Sequence, residues 1–77
     1  MIVRLMEPIL IQFGRNVRIA RGNADMTQEQ LYRLCGIHPT EISRIENGRR
    51  DVKLTTVSRL SQALGVTPGT LLDGRFD

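Results

Sequence analysis

Apolar residues recur along this chain at spacings of three and four, the period of an α-helix with one buried face. The first such stripe begins after Pro8 and places inward Ile9, Leu10, Phe13, Val17 and Ala20. We expect this helix to end near Gly22 and Asn23, since both residue types accept the left-handed conformation of a helix end. Ile11 and Ile19 fall off the stripe, either as ordinary surface residues or as a surface for a partner.

A second helix is predicted directly after Thr27. Thr27 and Gln30 have the spacing of a capping box, in which the hydroxyl accepts from the backbone N–H at Gln30 and the Gln30 side chain reaches back. The residues expected to face inward are Leu31, Leu34 and Cys35. Gly36 is expected to end this helix, which makes it about two turns long.

A third helix follows after a tight turn filled by Ile37. Pro39 suits the first helical position, where its missing N–H costs nothing. Ile42 and Ile45 are expected to point inward, and Gly48 is a candidate for the helix end. The two short helices and their glycine turn predict a helix-turn-helix at residues 27–47.

Two more helices complete the predicted fold. The fourth has the inward stripe Leu54, Val57, Leu60, Ala63 and Leu64, and Gly65 ends it. Thr67 and Pro68 then repeat the pattern of a cap followed by proline, which starts a short fifth helix. Residues 1–7 form a short N-terminal arm and residues 73–77 a tail that we expect to fray. The pattern therefore predicts one all-α domain of five helices over residues 1–77.

The charge distribution is consistent with a nucleic-acid partner. The 77 residues carry 11 Lys and Arg against 8 Asp and Glu, and ten of the eleven basic residues are arginine, Lys53 being the exception. Arginine pairs well with phosphates and with guanine edges. With a single cysteine no disulfide forms within one chain. No apolar run approaches the roughly 20 residues of a membrane span, so we expect a cytoplasmic protein without a membrane partner.

Three segments together resemble a known family. They are T-Q-E-Q-L at 27–31, G-I-H-P-T-E-I-S-R-I-E-N-G at 36–48 and A-L-G-V-T-P-G-T-L-L at 63–72. This combination is similar to the lambda-repressor-like helix-turn-helix family, which includes phage repressors and Cro, the Xre group and the controller proteins of restriction–modification systems. The resemblance covers roughly residues 13–72. It implies a bacterial or phage-type transcriptional regulator at the nucleoid, with the third helix in the major groove of double-stranded DNA and no cofactor.

The resemblance also implies roles for individual residues. The positions that match base-reading residues are Pro39, Thr40, Ser43 and Arg44. Those that match phosphate-contacting residues are Thr27, Gln28, Asn47, Arg49, Arg50 and Lys53. Arg21 and Glu46 match an ion pair between the first and third helices. Helical spacing is consistent with the reading face, because Thr40 and Arg44 lie opposite the inward Ile42 and Ile45.

One position departs from the family pattern. Tyr32 stands where the family usually has a small alanine that lets the second helix lie close to the third. Either the ring turns out to solvent or the two helices pack less closely, and the sequence leaves both open.

One recognition helix reads only a few base pairs, so useful specificity implies a homodimer on two half-sites about one helical turn apart. The fifth helix with Leu71 and Leu72 is the family's usual surface for this, and the apolar arm is a second candidate. The alternative function is an antitoxin or an interaction module that docks a toxin or another protein. Nothing in the sequence indicates an enzyme: one histidine and one cysteine, Cys35 near His38, make neither a catalytic set nor a metal site.

Overall fold

The computed structural model describes residues 8–76, which form five α-helices. These are α1 (Pro8–Asn23), α2 (Gln28–Cys35), α3 (Pro39–Glu46), α4 (Leu54–Leu64) and α5 (Pro68–Asp73). The predicted all-α class with five helices is confirmed. The predicted N-terminal arm lies outside the described residues. None of these five helices is long and apolar enough to cross a membrane.

The ends of the short helices are set by side-chain caps. Thr27 Oγ1 accepts from the Gln30 backbone N–H at 3.0 Å, and Gln30 Oε1 accepts from the Thr27 N–H at 2.8 Å. Gly36 ends α2 with a φ of 74°, a left-handed conformation that favours glycine. Thr67 Oγ1 caps α5 in the same way, accepting from the Thr70 N–H at 3.1 Å. The capping box and the turn glycine were therefore readable from the sequence.

The core lies where α1 crosses the rest of the bundle. Helix α1 packs against α3 and α5, while α2 packs against α3 and α4. The largest fully buried side chains are Phe13, Val17, Leu31, Ile42, Ile45, Leu60 and Leu71. Phe76, inside the segment 73–77 that was expected to fray, packs against this core.

Three predicted core positions are wrong, because Ile9, Leu34 and Leu54 are exposed. Leu54 is 86% exposed at the first position of α4, ahead of Val57, the first residue of that helix to reach the core. Ile9 likewise precedes Phe13 in α1. Leu34 is 63% exposed because Leu31 and Cys35, four residues apart, fill the buried face of α2.

Two polar contacts join helices across the core. The buried Asn16 Nδ2 donates to the Leu71 carbonyl at 2.7 Å and so ties α1 to α5. Arg59 of α4 donates through Nη2 to the Cys35 carbonyl at 2.7 Å, which satisfies one of the free carbonyls at the end of α2. The first contact fixes α5 on α1, and the second holds α4 against the helix-turn-helix.

Candidate nucleic-acid interface

Helix α3 presents one polar face outward. Ile42 and Ile45 are buried on the opposite face, while Thr40 and Arg44 are exposed. The other two predicted base-reading residues, Pro39 and Ser43, are partly buried on its flank. All four predicted base-reading residues therefore lie on one surface, with Thr40 and Arg44 protruding most.

The first turn of α3 is capped by a histidine side chain. His38 is the N-cap, and its Nδ1 accepts from the Thr40 backbone N–H at 3.2 Å. The Tyr32 ring lies against it at the surface, with ring centroids 5.9 Å apart and a 56° tilt. Among residues 8–76 no three His, Cys, Asp or Glu side chains come together to hold a metal ion. A signal for the cap was present, because His38 directly precedes a proline suited to the first helical position.

A buried carboxylate connects the first three helices. The Glu46 side chain is 2% exposed and accepts from Arg21 twice, from Nε at 2.7 Å and from Nη2 at 3.1 Å. Gln28 Nε2 donates to the same carboxylate at 3.2 Å. The hydrogen bond to Glu46 raises the pKa of Arg21 above its usual value. The C-terminal end of α3 is therefore anchored to α1 and to the start of α2.

This network engages side chains predicted to contact phosphate. The Gln28 amide is turned toward Glu46. Asn47 Nδ2 donates to the Ser43 carbonyl at 2.8 Å, and Asn47 Oδ1 accepts from Arg18 Nη2 at 3.3 Å. The Thr27 hydroxyl oxygen accepts a bond as a cap and keeps its own proton to donate. Gln28 and Asn47 thus have structural partners that the sequence did not reveal.

The basic residues of the loop after α3 fall into two groups. Arg50 is paired with Glu41 of α3 through Nε at 2.7 Å and Nη2 at 3.0 Å, and these hydrogen bonds lower the pKa of Glu41. Arg49 and Lys53 are exposed, and neither forms an ion pair within the described part of the chain. In the described part of the chain, Arg49 and Lys53 therefore have no ion-pair partner, whereas Arg50 is paired with α3.

The two leucines predicted for a dimer interface differ in burial. Leu71 is fully buried in the core of its own domain and has no surface for a second chain, which corrects that expectation. Leu72 is 42% exposed. Beside α5 runs a shallow groove lined partly by Ile11, Ile19 and Asp73. Exposed apolar side chains are therefore present both on α5, at Leu72, and on α1, at the two isoleucines outside its buried stripe.

Comparison with known proteins agrees with this geometry. Residues 17–71 match the helix-turn-helix family, and the chain belongs to that family. The resemblance read from the sequence is confirmed. Proteins of this family are regulators rather than enzymes.

Several of the similar proteins are controller proteins. The chain is 46% identical over 66 residues to control protein C.BamHI of Bacillus amyloliquefaciens, covering 84% of this chain and 82% of that protein. It is 39% identical over 59 residues to control protein C.SmaI of Serratia marcescens, covering 77% of this chain and 70% of that one. The solved structure of the restriction-modification controller protein C.AhdI from Aeromonas hydrophila superposes with a TM-score of 0.78 at 32% identity, covering 80% of this chain and 94% of that one.

Proposed function

We propose that this protein is a sequence-specific transcriptional regulator that binds double-stranded DNA with α3 in the major groove. The observation that carries the proposal is the exposed Arg44 beside Thr40, on a helix whose other face is buried. An arginine in this setting can donate two hydrogen bonds to guanine O6 and N7, a contact that discriminates by about 1–3 kcal/mol. Thr40 offers a methyl group to thymine or a hydroxyl to a base or phosphate.

The electrostatics around α3 support this orientation. Arg49 and Lys53 follow the helix as exposed cations, suited to the sugar–phosphate backbone beside the groove. Both acidic residues of α3 are paired with an arginine, Glu46 with Arg21 and Glu41 with Arg50. A surface of this kind attracts phosphate without an opposing free carboxylate from α3 itself.

We further propose a homodimer in which the exposed Leu72 of α5 and the exposed isoleucines of α1, Ile11 and Ile19, meet a second copy. One α3 contacts only a few base pairs, so two copies on half-sites about 34–36 Å apart supply useful specificity. The identity to C.BamHI and the likeness to C.AhdI support a regulator of restriction–modification genes. A toxin or other foreign partner stays a prediction.

Selection of bound sites from random duplex DNA tests the function. We expect an enriched sequence with two related half-sites in dyad arrangement, centred about one helical turn apart. A selection that enriches no sequence after repeated rounds at low salt would overturn sequence-specific DNA binding. Enrichment of a single, unrepeated half-site would overturn the homodimer and leave α3 as the reader.

A further inference from the structure

Arg44 has a competitor for its guanidinium on its own helix. Glu41 lies three residues earlier on α3, the spacing at which opposite charges pair on a helix surface. The positive charge of Arg44 already contributes to lowering the pKa of Glu41. A free carboxylate at this position would draw Arg44 along the helix and away from the groove. In the described part of the chain, however, Arg44 forms no ion pair.

The pairing of Arg50 with Glu41 explains why Arg44 is left without an ion pair. Its Nε and Nη2 each reach one oxygen of Glu41, at 2.7 and 3.0 Å, so the pair is bidentate. This two-point geometry is the strongest that arginine forms with a carboxylate. With both oxygens engaged and the charge neutralised, Glu41 retains little attraction for a second arginine.

We propose that Arg50 is a positioning residue that keeps Arg44 available to the bases by occupying Glu41. The inference rests on the proposed function, since Arg44 must read DNA for its availability to matter. It gives Arg50 a different task from Arg49, its neighbour in the same loop. Arg49 contributes charge toward phosphate, whereas Arg50 acts through the recognition helix.

The two tasks have different signatures. Loss of a phosphate contact weakens binding to every sequence alike, because phosphates carry no sequence information. Loss of the positioning residue frees Glu41 to capture Arg44, which lowers affinity for the operator more than for random DNA. Removal of Glu41 as well takes away the competitor and restores the discrimination.

The experiment measures affinities for the selected operator and for a random duplex of equal length, at one salt concentration. The variants are R50Q, the matched control R49Q and the double variant E41Q/R50Q. We expect R50Q to lower the operator-to-random ratio about two- to fivefold per half-site, the range of a surface ion pair. R49Q should weaken both duplexes equally, and E41Q/R50Q should return the ratio to the wild-type value.

Each result decides between the explanations. Equal behaviour of R50Q and R49Q, or no rescue by E41Q, would overturn the positioning role. We expect R50Q to unfold within a few degrees of the wild type, since exposed ion pairs contribute little stability. An unfolded R50Q would make Arg50 structural and also overturn the proposal. If the wild-type protein fails to discriminate the duplexes, the proposed function fails; if it discriminates and R50Q matches it, only this inference fails.

Discussion

Gly14 of α1 lies directly against the carbonyl oxygen of Ile45 in the last turn of α3. A Cβ atom added at Gly14 would overlap that oxygen and would lie 2.9 Å from the Glu46 carbonyl oxygen. Both neighbours are backbone atoms, so neither can turn aside as a side chain would. The recognition helix therefore rests on α1 at a point where only glycine fits.

Substitution of this glycine tests the contact. We expect Gly14→Ala to destabilise the protein by about 3 kcal/mol or more, the upper range for overpacking, because two helices must separate. Gly22 in the same helix has nothing within 4 Å of its added Cβ, so Gly22→Ala is the matched control. That change should stabilise by about 0.4–1 kcal/mol through the unfolded chain. Urea unfolding measures both, and equal effects would contradict the close approach.

Loss of the Glu46 carboxylate is expected to be costly. Glu46→Ala leaves Arg21 and Gln28 without their shared acceptor. We expect a loss of about 2–3 kcal/mol, below the roughly 3–5 kcal/mol of a fully buried pair because Arg21 remains partly exposed. The control is Glu29→Ala, which removes the exposed contact with Arg33 at 4.0 Å and the acid in the first turn of α2, and should cost less than about 1 kcal/mol. Similar losses in thermal unfolding would argue against an anchoring role for Glu46.

The pair between Glu41 and Arg50 gives a pH dependence of defined sign. Its hydrogen bonds lower the pKa of Glu41 in the folded protein, so the pair stabilises the fold above the ordinary glutamate pKa of about 4.3. That contribution is lost as the pH falls from there through the folded pKa. Unfolding of wild type and Arg50→Gln, compared across pH, should show a difference near neutrality that vanishes in acid. A difference of undiminished size at pH 2 would mean that the carboxylate is not its source.

Arg44→Ala tests base reading. We expect operator affinity to fall by about 1–3 kcal/mol per half-site, while affinity for random DNA changes far less. Arg33→Ala removes an exposed arginine of α2, outside both the predicted reading face and the proposed dimer surface, and serves as the charge control. Binding isotherms on both duplexes provide the comparison. Equal losses on operator and random DNA would show that Arg44 contributes charge alone.

The exposed leucine of α5 tests the homodimer. Leu72→Glu places a charge in the proposed interface and should shift the protein to monomers, as measured by sedimentation at micromolar concentration. Leu54→Glu alters a more exposed leucine at the start of α4 and should leave the dimer intact. A monomeric wild type, or a dimer that survives Leu72→Glu, would contradict the α5 interface.

Local chemistry explains which parts of the fold were readable from the sequence. Thr27, Gly36 and Thr67 fixed helix ends because capping depends on residues only a few positions apart. The prediction that Leu34 and Leu54 point inward was wrong. In a short helix, apolar residues three and four apart do not determine which of them lies at the centre of the buried face. Burial of a polar residue such as Asn16 depends on a partner 55 residues away, which no local pattern contains.

The candidate site divides in the same way. The exposed face of α3 was predictable, since Thr40 and Arg44 lie opposite the buried Ile42 and Ile45 on one helix. The resemblance also implied the contact of Arg21 with Glu46. The partner of Arg50 was not foreseen, because an exposed loop arginine has several carboxylates within reach and only the loop conformation selects Glu41. The contact of Tyr32 with His38 likewise needed the turn geometry.

The hydrogen bond from Asn16 to Leu71 has a consequence for operator architecture. It fastens α5 to α1, and α1 in turn carries α3 through Gly14 and Arg21. For a dimer joined through Leu72, no hinge separates the joint from the reading surface. An extra base pair between half-sites rotates one of them by about 35° around the duplex axis. In such a dimer that rotation would be taken up by twisting or bending the DNA, so we expect it to discriminate operators by the spacing of their half-sites as well as by their bases.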